Sequence, residues 1–385
     1  KVNVITGTIA PADKDEETAD LESIEKGVSY FIGKKVNSVV VQPKYMGSRA
    51  TVYLFANQEQ SYVTSRGGFI VKNDNLEQAI DELYKLPYVI KRFSEGVKMI
   101  VIDSELLPWR ANGANLIDKE FVATGAAITA EAKFLVDNGF YQAIESYSKN
   151  VYEPSEYQHK HLKTKRTELA ELYGSDKESN LRVFHDYRRQ IINQEDLQMG
   201  VDVFNRQLEL YARDGKVEFK PFSLLKEVLE DDSEKLFFDN TNEFVFSAVS
   251  SDNFIVVDLS DKDKAVQEIT EFYDYLTTVE GMEGIMLKPH QVYLPGVAPA
   301  VKVRNKNYLT LTYGPNYQSE GRLKHLLEKK SIKGKLKLSV AQWNTGKKML
   351  EIPYSEINRD NMAYLDSFAK MIFEEKEEEK IDHRL

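Results

Sequence analysis

The sequence contains no cysteine, which excludes disulfides, thiolate zinc sites and cysteine nucleophiles. No apolar run approaches the ~20 residues that span a bilayer, so no membrane role is expected. The first residues, KVNVITGTIAPADKDEE, hold no apolar core of the secretory type, and a cytoplasmic address is the expectation. There is no internal repeat and no low-complexity linker. A phosphate loop of the form GxxxxGKS or GxxxxGKT is also missing, so P-loop kinase chemistry is not expected from this chain. Basic residues are not in excess: 51 Lys and Arg stand against 61 Asp and Glu, a net charge of −10. A chain of that sign gains little from sequence-independent attraction to nucleic acid over its whole surface. Two local basic stretches remain, RLKHLLEKKSIKGKLK at 322–337 and HKHLKTKR at 159–166. Each reads equally well as a solvated helix face.

What is present is the mixture of a globular protein. The 385 residues are 42% hydrophobic and 29% charged, long enough for two or three packed modules. β-branched runs predict strands at 36–43, 49–56, 61–71 and 97–109, with a helix at 75–86 between them. From about 115 to 213 the period turns helical. Strands are expected again at 217–225, 244–251, 253–259, 284–290 and 300–314, with a helix at 262–278. The last 65 or so residues read as helical, and EEKEEEK (374–380) as a solvated helix end.

Five short motifs follow one another, each weak alone. KYMGSR (44–49) lies between two strands. A lysine amine attacks phosphorus when it is deprotonated and held in line, and neighbouring cations or a metal favour the neutral amine. Gly47 permits a tight turn with backbone close to a ligand, and Arg49 can reach a ribose or phosphate oxygen. The plain alternative is an ordinary β-turn. TSRGG (64–68) is a polar turn ending a strand and offers Arg66. DSELLPW (103–109) places Asp103 and Glu105 on one strand face by the period of two. Glu105 can take a ribose hydroxyl or a hydrated metal. EGIMLKP (283–289) sets the carboxylate of Glu283 beside a glycine and an apolar strand. VKVRN (301–305) puts Lys302 and Arg304 on one face, an arrangement suited to an anion such as a triphosphate. The bland reading is a soluble strand edge.

In this order the motifs resemble those of the covalent nucleotidyltransferase superfamily of polynucleotide ligases and mRNA capping enzymes. The strings MGSRA, ELLPW, VATGAA (122–127) and PFSLL (221–225) are more similar to the ligase module of the bacterial polynucleotide kinase-phosphatase RNA-repair system and its stand-alone relatives. The resemblance covers roughly residues 36–314. Two departures stand out: Arg304 replaces a second lysine, and Gln42 and Pro43 replace an acidic residue before the nucleophile. The resemblance implies Lys44 as nucleophile, forming a lysyl-AMP from ATP with Mg²⁺ or Mn²⁺. It implies Arg49, Arg66, Glu105, Glu283, Lys302 and Arg304 around the nucleotide, Phe222 stacked on the base, and Glu105 and Glu283 near the metal through water. It further implies RNA ends bearing a 5′-phosphate and a 3′-hydroxyl, and partners that supply kinase-phosphatase and RNA 3′-terminal methyltransferase activities.

The expected fold is α+β. Antiparallel sheets (1–114 and 214–314) form an adenylation core, interrupted by a helical insertion (115–213) and followed by a helical C-terminal module (315–385). Neither helical part is expected to be needed for lysyl-AMP chemistry. A GTP-dependent capping guanylyltransferase, a DNA ligase and an inactive repair scaffold are the alternatives, and transfer of label from ATP or GTP to the protein discriminates among them.

Overall fold

The computed structural model describes residues 1–188, 193–212 and 215–381. It is α+β, with two five-stranded sheets that are antiparallel throughout except for one short parallel pair. The strands are β1 (Ala10–Pro11), β2 (Ser38–Lys44), β3 (Ser48–Phe55), β4 (Tyr62–Ser65), β5 (Val97–Leu107), β6 (Glu218–Leu229), β7 (Glu234–Leu236), β8 (Ile255–Asp258), β9 (Gly284–Pro289) and β10 (Val301–Arg304). One sheet has the order β1-β10-β9-β2-β8, the other β4-β3-β5-β6-β7. The parallel pair is β1 with β10.

The chain divides into two compact units. The first comprises residues 1–117, 211–305 and 330–385 and holds both sheets. Its strands are apolar on both faces: Ala50, Val52, Tyr53 and Leu54 of β3 are all buried. Val52 and Leu54 pack in one core with Val4, Ala79, Ile80 and Leu83, and the Tyr53 hydroxyl, on the alternate face, accepts the Asn3 N–H at 3.0 Å, so the strand is covered on both sides. Helix Leu76–Tyr84 turns Ala79, Ile80 and Leu83 into this core. Helix Lys333–Glu351 buries Leu338, Met349 and Leu350.

The second unit, residues 118–210 and 306–329, is helical. Tyr152, Tyr157, Leu169 and Leu181 form a small core there. Gly125 lies against Leu208 and Asn205, where a side chain would crowd both.

Two expected strands are corrected. Of residues 244–251, the first half falls in helix Asn242–Ser247 and the rest is turn and loop. Thr241 caps it, its hydroxyl accepting the Phe244 N–H at 3.1 Å, and the adjacent Val245 and Phe246 are both buried. An N-cap ahead of an apolar pair won over the β-branched composition. In the 300–314 stretch, the strand ends at Arg304. Asn305 donates its side-chain amide to the Met282 and Glu283 carbonyls, and residues Lys306–Tyr313 are helical.

Candidate active site

Lys44 ends β2, where pairing with β9 sets it opposite Gly284. Its Nζ lies 2.8 Å from Glu283 Oε2. Glu283 is 3% exposed, so the pair is an ion pair set in the protein interior. Gly284 is required here: a Cβ would meet the Val303 carbonyl oxygen at 2.0 Å. Gly47 answers to a similar demand. A Cβ there would lie 2.4 Å from the Leu106 carbonyl oxygen and 2.8 Å from Glu105 Cγ. Close approach of β5 is therefore the constraint at Gly47, rather than a glycine-only turn conformation.

The cavity beside Lys44 has a volume of about 370 Å³, in the range of small-ligand sites. Its charged lining comprises Lys44, Arg49, Arg66, Lys288, Lys302 and Lys335 against Asp103 and Glu105. Six cations facing two acids, in a chain of net charge −10, make a concentrated anion site.

Each group has an identifiable placement. Arg49 sits on β3 and is gripped by Asp103 of β5, Nε lying 3.2 and 3.1 Å from the two carboxylate oxygens. Its Nη1 donates to the Gly7 carbonyl at 3.0 Å. Glu105 is directly opposite Arg49 in the β3–β5 register. Burial, then the nearby Glu283, raises its carboxyl to about 7, although Lys44 pulls the other way. Arg66 lines the cavity from the turn after β4 and reaches Glu375 at 3.9 Å.

Phe222 is presented by an irregularity of β6. The β5 register passes from Asp103 opposite Ser223 to Ser104 opposite Pro221, leaving Phe222 as the extra residue of a bulge. Bulges bend a strand and re-aim a side chain. A second shift, from Val101 opposite Lys226 to Ile102 opposite Leu224, leaves out Leu225. Both omitted residues line the cavity. Lys288 Nζ lies 4.8 Å from the Phe222 ring centre and the Arg49 guanidinium 5.7 Å, so the ring is held among cations.

Lys302 lines the cavity from β10, and burial, then Arg304 and Lys44, pushes its amine well below the ordinary lysine range. Arg304 is placed otherwise than the strand alternation implies. It is not part of the cavity lining, and its guanidinium binds Glu22, with Nε 3.1 Å from both carboxylate oxygens. A period of two assigns the face but not the partner. Seven of the eight residues singled out by sequence thus meet at or directly behind one cavity, Glu283 behind it through Lys44.

Sequence reasoning passed over Asp103 as the group that aims Arg49. It also passed over Lys288, whose amine is brought to about 7 mainly by burial and further by Arg49. The signal for Lys288 was available: it follows Met286 by two in β9, and both line the cavity. Gly7, Thr8, Ile9 and Trp343, which also line it, carried no local signal, and Lys335 lay in the basic stretch 322–337 with nothing to mark it out from its neighbours.

Two sheets flank a cationic cavity in which a lysine is held on a buried glutamate, the arrangement of a nucleotidyltransferase. The chain belongs to the family described as PNKP adenylyltransferase domain, ligase domain, whose model matches residues 2–356. It is similar to a chain of the Pnkp1/Rnl/Hen1 complex, with 31% identity, a TM-score of 0.85, and coverage of 100% of this chain and 96% of the other. A second structure, of the Pnkp1/Rnl/Hen1 RNA repair complex, gives 29% identity, a TM-score of 0.82 and the same coverage. No curated protein matches. By family the chain is a ligase-type adenylyltransferase.

Proposed function

We propose that the chain is an ATP-dependent RNA ligase that works through a covalent lysyl-AMP on Lys44. The observation that carries this reading is the Lys44–Glu283 contact at 2.8 Å beside a cavity rich in cations. In the first step Lys44 Nζ bonds to the α-phosphorus of ATP, the bond from that phosphorus to the pyrophosphate oxygen breaks, and Nζ gives up a proton. Glu283 is an acceptor already in contact with Nζ. The leaving pyrophosphate and the transferring group carry charge that must be met by fixed cations. Lys302, Lys288 and Arg66 line the cavity for that purpose. Arg49, aimed by Asp103 and Gly7, contacts ribose or phosphate, and Phe222 stacks on the base.

In the second step AMP passes from Lys44 to an RNA 5′-phosphate. In the third a 3′-hydroxyl attacks that phosphate, AMP leaves and the strand is sealed. Among the described residues there is no group of three or more His, Asp and Glu suited to hold a metal by themselves. That fits a magnesium-type ion, which takes one or two carboxylates and completes its shell with water and substrate phosphates. Glu105 and Glu283 would hold Mg²⁺ or Mn²⁺ through water, and the ion would supply charge neutralisation at the phosphates.

In this reading residues 1–114 and 214–314 are the adenylation core and 115–213 an insertion. Residues 315–385 are a C-terminal module whose part from 330 packs in the same compact unit as the sheets. The similarity to chains of Pnkp1/Rnl/Hen1 complexes supports partners that supply kinase-phosphatase and RNA 3′-terminal methyltransferase activities. Among the described residues no helix is long and apolar enough to cross a membrane, and we place the activity in the cytoplasm.

The test is incubation with α-labelled ATP or GTP and a divalent metal, followed by separation of protein-bound label. Label from ATP, none from GTP, and none on folded Lys44→Ala is the expected result. Lys44→Arg is expected to fail as well, because guanidinium stays protonated. Covalent label on folded Lys44→Ala would overturn the assignment, and efficient labelling from GTP would move the reading to capping.

A further inference from the structure

Residues 3–12 contain one two-residue strand and no helix, yet three cavity cations are tied to them. Arg49 Nη1 donates to the Gly7 carbonyl at 3.0 Å. The Thr6 N–H donates to the Arg66 carbonyl at 3.3 Å. β1 runs beside β10 with Pro11 paired to Lys302, and the Ala12 N–H donates to the Lys302 carbonyl at 2.8 Å. Gly7, Thr8 and Ile9 also line the cavity themselves. This segment is a strap joining three separate motifs, through the Arg49 guanidinium and the backbones of Arg66 and Lys302.

A segment without a ladder of its own must find partners for its buried backbone groups elsewhere. For Thr8 they come from helix Lys333–Glu351. Gln342 Oε1 accepts the Thr8 N–H at 2.7 Å, and Ser339 Oγ donates to the Thr8 carbonyl at 2.8 Å. The two side chains are three residues apart, which puts them on one helix face. Ser339 is 0% and Gln342 3% exposed, so both bonds are closed to water. The fit is tight: a Cβ on Gly7 would meet Gln342 Cβ at 2.5 Å. Higher on the helix, Asn3 Nδ2 donates to the Met349 carbonyl at 2.9 Å, which anchors the start of the strap.

We infer that Gln342 and Ser339 are positioning residues for nucleotide binding: they fix Thr8, Thr8 fixes the Gly7 carbonyl, and that carbonyl aims Arg49 into the cavity. The inference rests on the proposed adenylylation of Lys44. It reverses, for this helix, the expectation that residues after 315 are dispensable for lysyl-AMP chemistry. Arg49 keeps its second anchor, Asp103, when the strap loosens. The effect therefore falls on nucleotide affinity more than on the chemical step.

The experiment uses the full chain with Gln342→Leu and Ser339→Ala, singly and together, plus Gln342→Met and Gln342→Glu. Single-turnover lysyl-AMP formation is followed over a range of ATP concentrations. The double variant is expected to raise half-saturating ATP roughly tenfold while the limiting rate stays within about threefold, the pattern of lost ground-state binding. Gln342→Met, close in shape but without the amide oxygen, should show the same direction alone and covers the case of a double variant that does not fold. Gln342→Glu keeps an oxygen acceptor for Thr8 and is expected to raise half-saturating ATP less than Gln342→Met does. A merely structural helix would lower Tm and leave the ATP dependence where it was, and that result overturns the inference. Should the wild type take no label, the Lys44 reading falls separately. Calorimetric ATP affinity then decides, with equal affinity in wild type and Gln342→Met overturning the positioning role.

Discussion

Arg304 and Glu22 form a buried pair in which the arginine contributes its backbone as well as its side chain: the Arg304 N–H donates to Glu22 Oε2 at 2.9 Å and Nε lies 3.1 Å from both oxygens. Burial works to raise the Glu22 carboxyl, but Arg304 overcomes it and holds the group at about 2. Unfolded, Glu22 titrates at the ordinary value of roughly 4.3. The folded state therefore binds the proton less tightly. The pair's stabilisation is complete above about pH 4.5 and is lost as pH falls toward 2. Arg304→Ala removes the guanidinium and leaves the buried Glu22 carboxylate with only the backbone N–H and the more distant Lys330 and Lys302 to balance it, at an expected cost of about 3–5 kcal/mol. Adding Glu22→Leu should recover part of that. Denaturant melts of the three proteins at pH 7 check it, and an unchanged midpoint for Arg304→Ala would refute the structural role.

Alanine at Glu283 or Lys302 is expected to slow lysyl-AMP formation by more than ~100-fold, the scale of losing one charge-stabilising group. Phe222→Leu should instead raise the ATP needed for half-saturation and spare the limiting rate, because stacking contributes mainly to binding. Single-turnover labelling separates the two patterns. Near-normal rates in both alanine variants would mean that the cavity beside Lys44 is not where the chemistry occurs.

The buried amines give the nucleotide-free protein a pH signature of the same sense as Glu22, in a higher pH window. Lys288 is brought to about 7 and Lys330 to about 8, in both cases mainly by burial, and Lys302 is lowered too. Unfolded lysines titrate near ~10.4. Between those limits the unfolded state binds more protons, so stability rises with pH. Tm is expected to increase from pH 7 to pH 9. The increase should be smaller in Lys288→Met, and smaller again with ATP bound, because phosphates favour the charged amines. A flat profile in the nucleotide-free wild type would contradict the burial of these groups.

Sealing should depend on partners. The net charge of −10 gives little nonspecific hold on RNA, so retention of a broken end should be weak and salt-sensitive. The isolated chain is expected to self-adenylylate strongly and to seal a nicked RNA duplex slowly. Kinase-phosphatase and methyltransferase partners should restore the rate. The measurement is single-turnover sealing with the chain in excess. Rapid, complete sealing by the chain alone would end the idea of dependence.

Much of the site was legible because its motifs are local. Lys44, Arg49, Glu105 and Lys302 sit on strands, and Arg66 on a turn, that β-branched composition and turn residues mark out. Asp103 and Lys288 were within reach of the same alternation once their neighbours were identified. Arg304 was not: its partner Glu22 lies 282 positions away, and no pattern within a strand reports such a pairing. The strap 3–12 lacks any period, and its meaning depends on Gln342, more than 300 positions distant. The strand expected at 244–251 failed because an N-cap at Thr241 outweighs composition.

The bulges of β6 have a consequence for how this site can be lost. Phe222 and Leu225 face the cavity because the ladder with β5 skips them. Removing one of them would let the flanking residues pair in regular succession. The strand would gain continuity while the cavity lost a wall, so the backbone's own preference for an unbroken ladder runs against nucleotide binding at these two places.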